Sequence, residues 1–366
     1  MRARAGPFEY SMNARPDSAA PAELPQFGHI LDVRSPSEFA LDHVPGALNV
    51  PVLDDLERAR VGTVYVHDSP FAARKLGAAL VAGNIARHVE TRFRHHDRHW
   101  KPLVYCWRGG QRSGALTTVL RAIGWDARQL EGGYRAWRRQ VVADLEAWPA
   151  RFEIRVLCGL TGTGKSRLLR ALAQCGEQVL DLESLAAHRG SILGDLPGEP
   201  QPSQKRFESR LWDWLRRLDA SRPVYAESES PRVGAVRVPE AVVQRLRASA
   251  CLRLEAPMAL RVALLRREYN HYLDQPHLLE PRLRVLAVQH GHGRVRAWLD
   301  LAAHGQWDAL VADLLERHYD PAYLRSIGRH FAAWDRALPV PVTADTDESW
   351  SALARALAAA ALPAAA

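Results

Sequence analysis

The segment GLTGTGKS at 159–166 constrains the architecture of this 366-residue chain more than any other stretch. It satisfies G-x-x-x-x-G-K-[ST], follows the apolar run IRVLC and precedes the helical pattern KSRLLRALAQ, so it reads as strand, loop and helix N-terminus. In that context the backbone of Gly159, Gly162, Thr163 and Gly164 can wrap a phosphate. Lys165 supplies a point charge and Ser166 can bind magnesium. An α/β fold with a phosphate-bearing ligand follows from these eight residues.

The flanking pattern agrees. FEIRVLCGL, QVLDLE, PVYAES and ACLRLEA read as strands, KRFESRLWDWLRRL as a helix, and the chain after Met258 is mostly helical, including RVRAWLDLAAHGQWDALVADLLERHY. Before the loop, HILDVR, LNVPV, PLVYC and ARQL read as strands. They alternate with helical PFAARKLGAALVAGNIARHV, SGALTTVLRAIG and YRAWRRQVVADLEAW, which predicts a second parallel α/β sheet. Trp148-Pro149-Ala150 marks a linker, giving an expected domain at 1–148, with its core at about 28–148, and another at 149–366. No internal repeat relates the two.

Hydrophobic content of 47% supports real cores. The four cysteines are scattered without a CxxC pair, so the sequence predicts neither a disulfide framework nor a zinc ribbon, and a reducing cytoplasm is expected. The first 27 residues lack the apolar centre of an export signal, and no run approaches the ~18 apolar residues of a membrane span. The Ala-rich C-terminus reads as a last helix with a frayed tail. A net charge of +8 permits a polyanionic partner, although arginines on a solvated surface account for it equally.

VYCWRGGQRS at 104–113 places Cys106 at the carboxyl end of a buried strand, before a Gly109-Gly110 turn and a helix beginning near Ser113. Active sites of open α/β sheets lie at that end. Turn N–H groups, the helix N-terminus and the charges of Arg108 and Arg112 should favour a nucleophilic thiolate. The plain alternative is a packed strand cysteine. Asp181, at the end of the QVLDLE strand pattern, and Glu227 and Glu229, after VYA, follow strands too. Each either orients magnesium in the phosphate site or serves locally, Asp181 as a helix cap with Glu183 solvated. RFRHHDRHW at 92–100 interleaves basic and aromatic residues, which suits RNA contacts or a solvated helix end. His95, His96 and His99, or His290 and His292, lack the carboxylate or cysteine spacing of a metal site, so no firm metal site is expected beyond magnesium at Ser166.

Three motifs in register, DVRSPSEFALDHVPGALNVPV at 32–52, VYCWRGGQRS and LEGGYRAW at 130–137, make the first module resemble rhodanese-like domains over roughly 120 residues. The resemblance implies that Cys106 carries a sulfur-group atom as a persulfide or its selenium counterpart, with Asp32 and Arg34 bracing the loop. The loop departs from the pattern of small sulfurtransferases, which place four residues between cysteine and arginine. Here five, WRGGQ, separate Cys106 from Arg112, the cradle size of related dual-specificity phosphatases.

Both modules together, with DLESLAAHRGSILG at 181–194, QPSQKRFES at 201–209, ESESPRVG at 227–234 and HYDPAYLRS at 318–326, resemble the bacterial tRNA 2-selenouridine synthase family from about Ile30 to Tyr323. That resemblance implies a transferase acting on the wobble 2-thiouridine of tRNA anticodons. Geranyl diphosphate alkylates the sulfur, and selenophosphate then replaces S-geranyl with selenium. It implies no tightly bound cofactor and no membrane partner. Two other readings compete: a phosphatase on the rhodanese fold with a regulatory nucleotide on the P-loop, and a non-catalytic, nucleotide-dependent tRNA-binding adaptor.

Overall fold

The structure, a computed structural model, describes residues 17–360. The chain divides into two compact units, Met1–Ala143 and Asp144–Ala366, each built on a parallel sheet with helices around it.

The first unit has strands β1 (Ser18–Ala19), β2 (His29–Asp32), β3 (Leu48–Asn49), β4 (Pro102–Tyr105) and β5 (Arg128–Leu130), in the order β1-β5-β4-β2-β3. Every pairing is parallel. All four residues of central β4 are buried, as an uninterrupted apolar strand between helical layers must be. Helices α1 (Pro36–Leu41), α2 (Asp55–His67), α3 (Pro70–His88), α4 (Gln111–Ile123) and α5 (Gly133–Ala147) complete it. The motif Ser35-Pro36-Ser37-Glu38 starts α1 because Ser35 caps it, Pro36 fits its first turn and Glu38 closes a capping box. Edge strand β1 was not legible in the sequence, since two residues are too short to show alternation.

The second unit has strands β6 (Ile154–Cys158), β7 (Gln178–Leu180), β8 (Val224–Glu227), a small antiparallel hairpin of β9 (Arg232–Val233) and β10 (Val236–Arg237), then β11 (Ala250–Glu255) and β12 (Leu338–Pro341). The main sheet runs β12-β11-β6-β8-β7, all parallel, with β6 and its phosphate loop in the middle. LPVP falls in the stretch expected to be mostly helical. It serves as a strand, prolines included, because an edge needs hydrogen bonds on one side only.

Helices α6 (Lys165–Gln174), α7 (Leu182–Ala186), α8 (Gln204–Leu215) and α9 (Glu240–Arg247) connect the strands. A helical array follows: α10 (Met258–Glu268), α11 (Asn270–Asp274), α12 (Leu279–Val285), α13 (Ala287–Ala303), α14 (Trp307–Leu314) and α15 (Asp320–His330). It has its own core, including Tyr272, Leu283, Val295, Trp298 and Leu310. The long run read as helix is interrupted by Gly305, at φ +66°, and by a π-helical turn at Leu315–Tyr319. The final helix α16 (Asp347–Ala359) packs Trp350, Ala354 and Leu357 into the cluster that holds Leu168 and Leu172 of α6. The export-signal reading falls largely on residues 1–16 and the frayed tail on 361–366, both outside the described residues. Among the described residues no helix is long and apolar enough to cross a membrane.

Candidate functional site

Cys106 follows β4 directly and is 4% exposed. Its sulfur accepts the Gly110 N–H at 3.3 Å and the Ser113 hydroxyl at 3.1 Å. Burial alone pushes the thiol up. The Ser113 hydroxyl, followed by the N–H groups of Ser113, Gly110 and Arg108, outweighs it, so the thiol lies below its ordinary pKa. The arginines expected to supply charge are placed otherwise. The Arg108 side chain is exposed, and the Arg112 guanidinium pairs with Glu38 of α1 at 3.0 Å. That ion pair holds Glu38 below the usual carboxylate range against the opposing effect of burial.

Gln129 of β5 had no signal in the sequence. Its amide nitrogen donates to Ser113 Oγ at 2.8 Å and to Gly110 O at 3.0 Å. Gly110 O, which lies 3.2 Å from Ser113 Oγ and competes with the sulfur for the Ser113 proton, is thereby partly engaged, which favours donation to the sulfur. Gln129 is thus a positioning residue for the hydroxyl that acidifies Cys106.

LEGGYRAW explains itself in three dimensions. The N–H groups of Tyr134 and Arg135 donate to Cys106 O and Trp107 O at 2.9 and 3.1 Å, clamping the loop onto the start of α5. Gly133, at φ +58°, lies so close that a Cβ there would collide with Cys106 O and Gly109 N. Gly109 is equally constrained: at φ +67°, its Cβ would lie 2.8 Å from Leu130 O. Gly110 has open space. Asp32 and Arg34 form a buried pair, with Nη2 to Oδ2 at 2.6 Å, and Arg34 also donates to Asp42 O at 2.7 Å. The guanidinium sits 4.0 Å from the Tyr134 ring centroid, which connects this pair to the loop clamp.

In the second unit, the phosphate loop is closed on itself. Lys165 Nζ donates to Gly159 O at 2.8 Å and Leu160 O at 3.4 Å, and Gly159 N–H donates to the Tyr323 hydroxyl at 2.7 Å. Thr163 is 1% exposed and its hydroxyl donates to Leu160 O at 2.9 Å, so its side chain fixes the turn and faces no ligand. The glycines are dictated by close approach. A Cβ at Gly159 would lie 2.7 Å from Leu254 O, and one at Gly164 would collide with the Trp350 ring.

Four carboxyl groups crowd this loop. Asp181 caps α7 by accepting the Ser184 N–H at 2.7 Å. Glu183 is not solvated: it accepts the Ser166 hydroxyl at 3.0 Å, and burial followed by repulsion from Glu229 pushes it up to about 8. Glu227 Oε1 accepts the N–H groups of Leu182 and Glu183 at 2.6 and 3.0 Å, while its buried Oε2 has no hydrogen-bond partner. Burial, reinforced by Asp181, raises Glu227 well above a normal carboxyl. Lys165 is lowered by burial and partly restored by Glu183, Glu229, Cys158 and Glu227. Among the described residues no three His, Cys, Asp or Glu side chains form a metal cage. Magnesium takes only one or two carboxylates besides phosphate oxygens and water, and the orphaned Glu227 Oε2 with the Ser166–Glu183 pair suits that requirement.

The RNA-contact segment at 92–100 turns its aromatic residues inward. Phe93 is 3% and Trp100 7% exposed, so these two rings are core, and half-buried His96 stacks on Trp100 at 3.9 Å. His290 pairs with His318, ring nitrogens 3.1 Å apart.

Residues 18–140 match the family model described as "Rhodanese-like domain", and residues 152–280 match "tRNA 2-selenouridine synthase AAA domain". A tRNA 2-selenouridine synthase of Bdellovibrio bacteriovorus is 32% identical over 344 residues, covering 82% of this chain and 89% of the relative. One of Cupriavidus necator is 35% identical over 343 residues, covering 84% and 91%. One of Nitrosomonas europaea is 36% identical over 244 residues, which span 66% of this chain and 63% of that relative.

Proposed function

The chain belongs to the tRNA 2-selenouridine synthase family, and from that premise we propose that it is a cytoplasmic transferase converting wobble 2-thiouridine to 2-selenouridine in the anticodon region of tRNA. The observation that carries this reading is the presence in one chain of two dissimilar anion cradles, an acidified thiol and a phosphate loop.

In the first stage the uridine sulfur attacks C1 of geranyl diphosphate, an S–C bond forms, the C–O bond to diphosphate breaks and the N3 proton of the base leaves to solvent. The leaving group gathers negative charge. Lys165 transfers its hydrogen bonds from Gly159 O and Leu160 O to phosphate oxygens, and the N-terminus of α6 adds its N–H groups. Magnesium, held by Ser166 with Glu183 or Glu227, would supply further Lewis-acid stabilisation of the diphosphate. No nucleotide hydrolysis is needed.

In the second stage selenium from selenophosphate replaces the S-geranyl group. The balance is S-geranyl-2-thiouridine, selenophosphate and water giving 2-selenouridine, geranylthiol and phosphate, with selenium at the selenide level throughout. A perselenide on Cys106 would require an added two-electron oxidant. The balanced role is attack of the Cys106 thiolate on phosphorus: an S–P bond forms, the P–Se bond breaks and selenide leaves toward C2 of the base. Water then releases phosphate and restores the thiol. The five-residue loop, with N–H groups of Arg108, Gly110 and Ser113 turned to the sulfur, supports phosphoryl binding there.

Incubating the protein with 2-thiouridine tRNA, geranyl diphosphate and selenophosphate, omitting each in turn, tests the scheme by mass spectrometry of nucleosides. S-geranyl-2-thiouridine should accumulate without selenophosphate. An unchanged nucleoside in the complete mixture sinks it.

A further inference from the structure

The segment HYDPAYLRS at 318–326 has no part in the chemistry above, yet two of its side chains act on the phosphate loop. Asp320 and Tyr323 stand three residues apart at the start of α15 and so share one face of that helix. The Tyr323 hydroxyl accepts the Gly159 N–H at 2.7 Å and lies 3.0 Å from Ser228 Oγ, just after β8. Lys165 Nζ is 5.4 Å from the centroid of the same ring, within reach of its π-face. Asp320 acts through Arg261 of α10, a residue only 3% exposed. Arg261 Nη1 and Nη2 donate to the two Asp320 carboxylate oxygens at 2.9 and 2.5 Å, and Nε donates to Thr161 O at 2.9 Å. All three nitrogens of the fork are committed, two to α15 and one to the loop.

The bond to Thr161 has a consequence for anion binding. In a planar trans peptide the carbonyl oxygen and the next N–H point in opposite directions. Holding Thr161 O toward Arg261 therefore turns the Gly162 N–H away from α10, to the side on which such a loop wraps phosphate. Gly162 is fitted to that placement: at φ +81°, a Cβ would lie 2.9 Å from Leu265 Cδ1 and 3.1 Å from Arg261 O, so the loop is pressed against α10 on its outer side. Gly159 is fixed from its N–H by Tyr323, and its carbonyl is the acceptor on which Lys165 rests.

We infer that Arg261 and Tyr323 are positioning residues of the diphosphate site. Arg261, braced by Asp320, aims the Gly162 N–H at the anion, and Tyr323 holds Gly159 and the resting place of Lys165. The inference rests on the reading that a diphosphate occupies this loop, and adds what gives the loop its binding shape. Neither side chain touches the reacting atoms.

The test is calorimetric titration of the full chain with inorganic diphosphate and magnesium, well below each protein's melting transition. Arg261→Lys keeps a cation for Asp320 but has no separate nitrogen for Thr161 O, and should weaken diphosphate binding about tenfold. Tyr323→Phe keeps the ring and loses the hydroxyl, and should weaken it about threefold. Asp313→Asn controls for general loosening: Asp313 accepts the Trp298 Nε1–H at 2.7 Å within the helical array, so this change should lower the melting temperature and leave diphosphate affinity as it was. A wild-type protein that does not bind diphosphate overturns the inference, as do unchanged affinity in folded Arg261→Lys and an equal loss in Asp313→Asn. Should Arg261→Lys not fold, unchanged affinity in Tyr323→Phe overturns it instead. The expected losses in a protein that cannot alkylate 2-thiouridine tRNA with geranyl diphosphate keep the inference and refute the functional reading. Alkylation by the wild type, with an unchanged KM for geranyl diphosphate in Arg261→Lys, does the reverse.

Discussion

At Cys106 the donors of the loop point at the reactive atom, whereas at Lys165 the reactive group points back at its own loop. The thiol cradle is finished before any ligand arrives: Gln129 orients Ser113, Ser113 and Gly110 address the sulfur, and the Gly132-Gly133 turn clamps the backbone. The phosphate loop instead meets its needs provisionally, with Lys165 on carbonyls and Ser166 on Glu183. A nucleophile is part of the chain and can be solvated permanently by it. A loop that receives an outside anion must hold partners that the anion can replace, because a buried ammonium left unpaired is costly.

Five substitutions would sharpen or break that contrast. The largest effect belongs to Cys106→Ala, which should reduce selenium incorporation by about 10³-fold or more while S-geranyl-2-thiouridine still forms. Nucleoside mass spectrometry reads both products, and retained selenation would remove the thiol from the scheme. Lys165→Ala should slow geranylation by roughly 10²–10³-fold, the usual loss when a donor to a developing negative charge is deleted. Selenation of tRNA already carrying S-geranyl-2-thiouridine should persist in this variant, and its loss would show that the cradles do not act separately.

Ser113→Ala should slow alkylation of Cys106 by iodoacetamide at neutral pH by about tenfold, since a hydrogen bond to a charged acceptor is lost. The half-maximal pH of that alkylation should move upward, and Gln129→Leu should move it the same way by less. If Ser113→Ala changes nothing, the preformed character of this cradle is lost. The smallest effect is on stability. Glu183 keeps its proton up to about 8 when folded but titrates near 4.5 when unfolded, so its contribution to stability is full below 4.5 and is lost as pH rises toward 8. Glu183→Gln should therefore flatten the pH dependence of the Asp144–Ala366 melting transition between those values, as followed by calorimetry.

Much of this was legible beforehand where a short motif imposes its own geometry. GLTGTGKS has to be strand, turn and helix start, and Gly109 in CWRGG has to supply a positive φ. Less was legible where distant residues decide the outcome. Arg112 looked like a charge for the thiol until Glu38, 74 residues away in sequence, took it. Thr163 looked phosphate-facing, yet its hydroxyl is spent on Leu160 O. Phe93 and Trp100 resembled a stacking surface because sequence spacing does not reveal which face of a segment is covered.

The sequence by itself determined the two modules, the glycine turn after Cys106, the form of the GLTGTGKS loop and the family, because each rests on residues adjacent in the chain whose backbone needs admit few solutions. Only the tertiary structure decided what acidifies Cys106 and why the LEGGYRAW glycines are required. Those depend on the approach of β5 to α4 and of α5 to the cysteine turn. Such approaches are set by how helices and strands pack on their sheet, which no local pattern encodes.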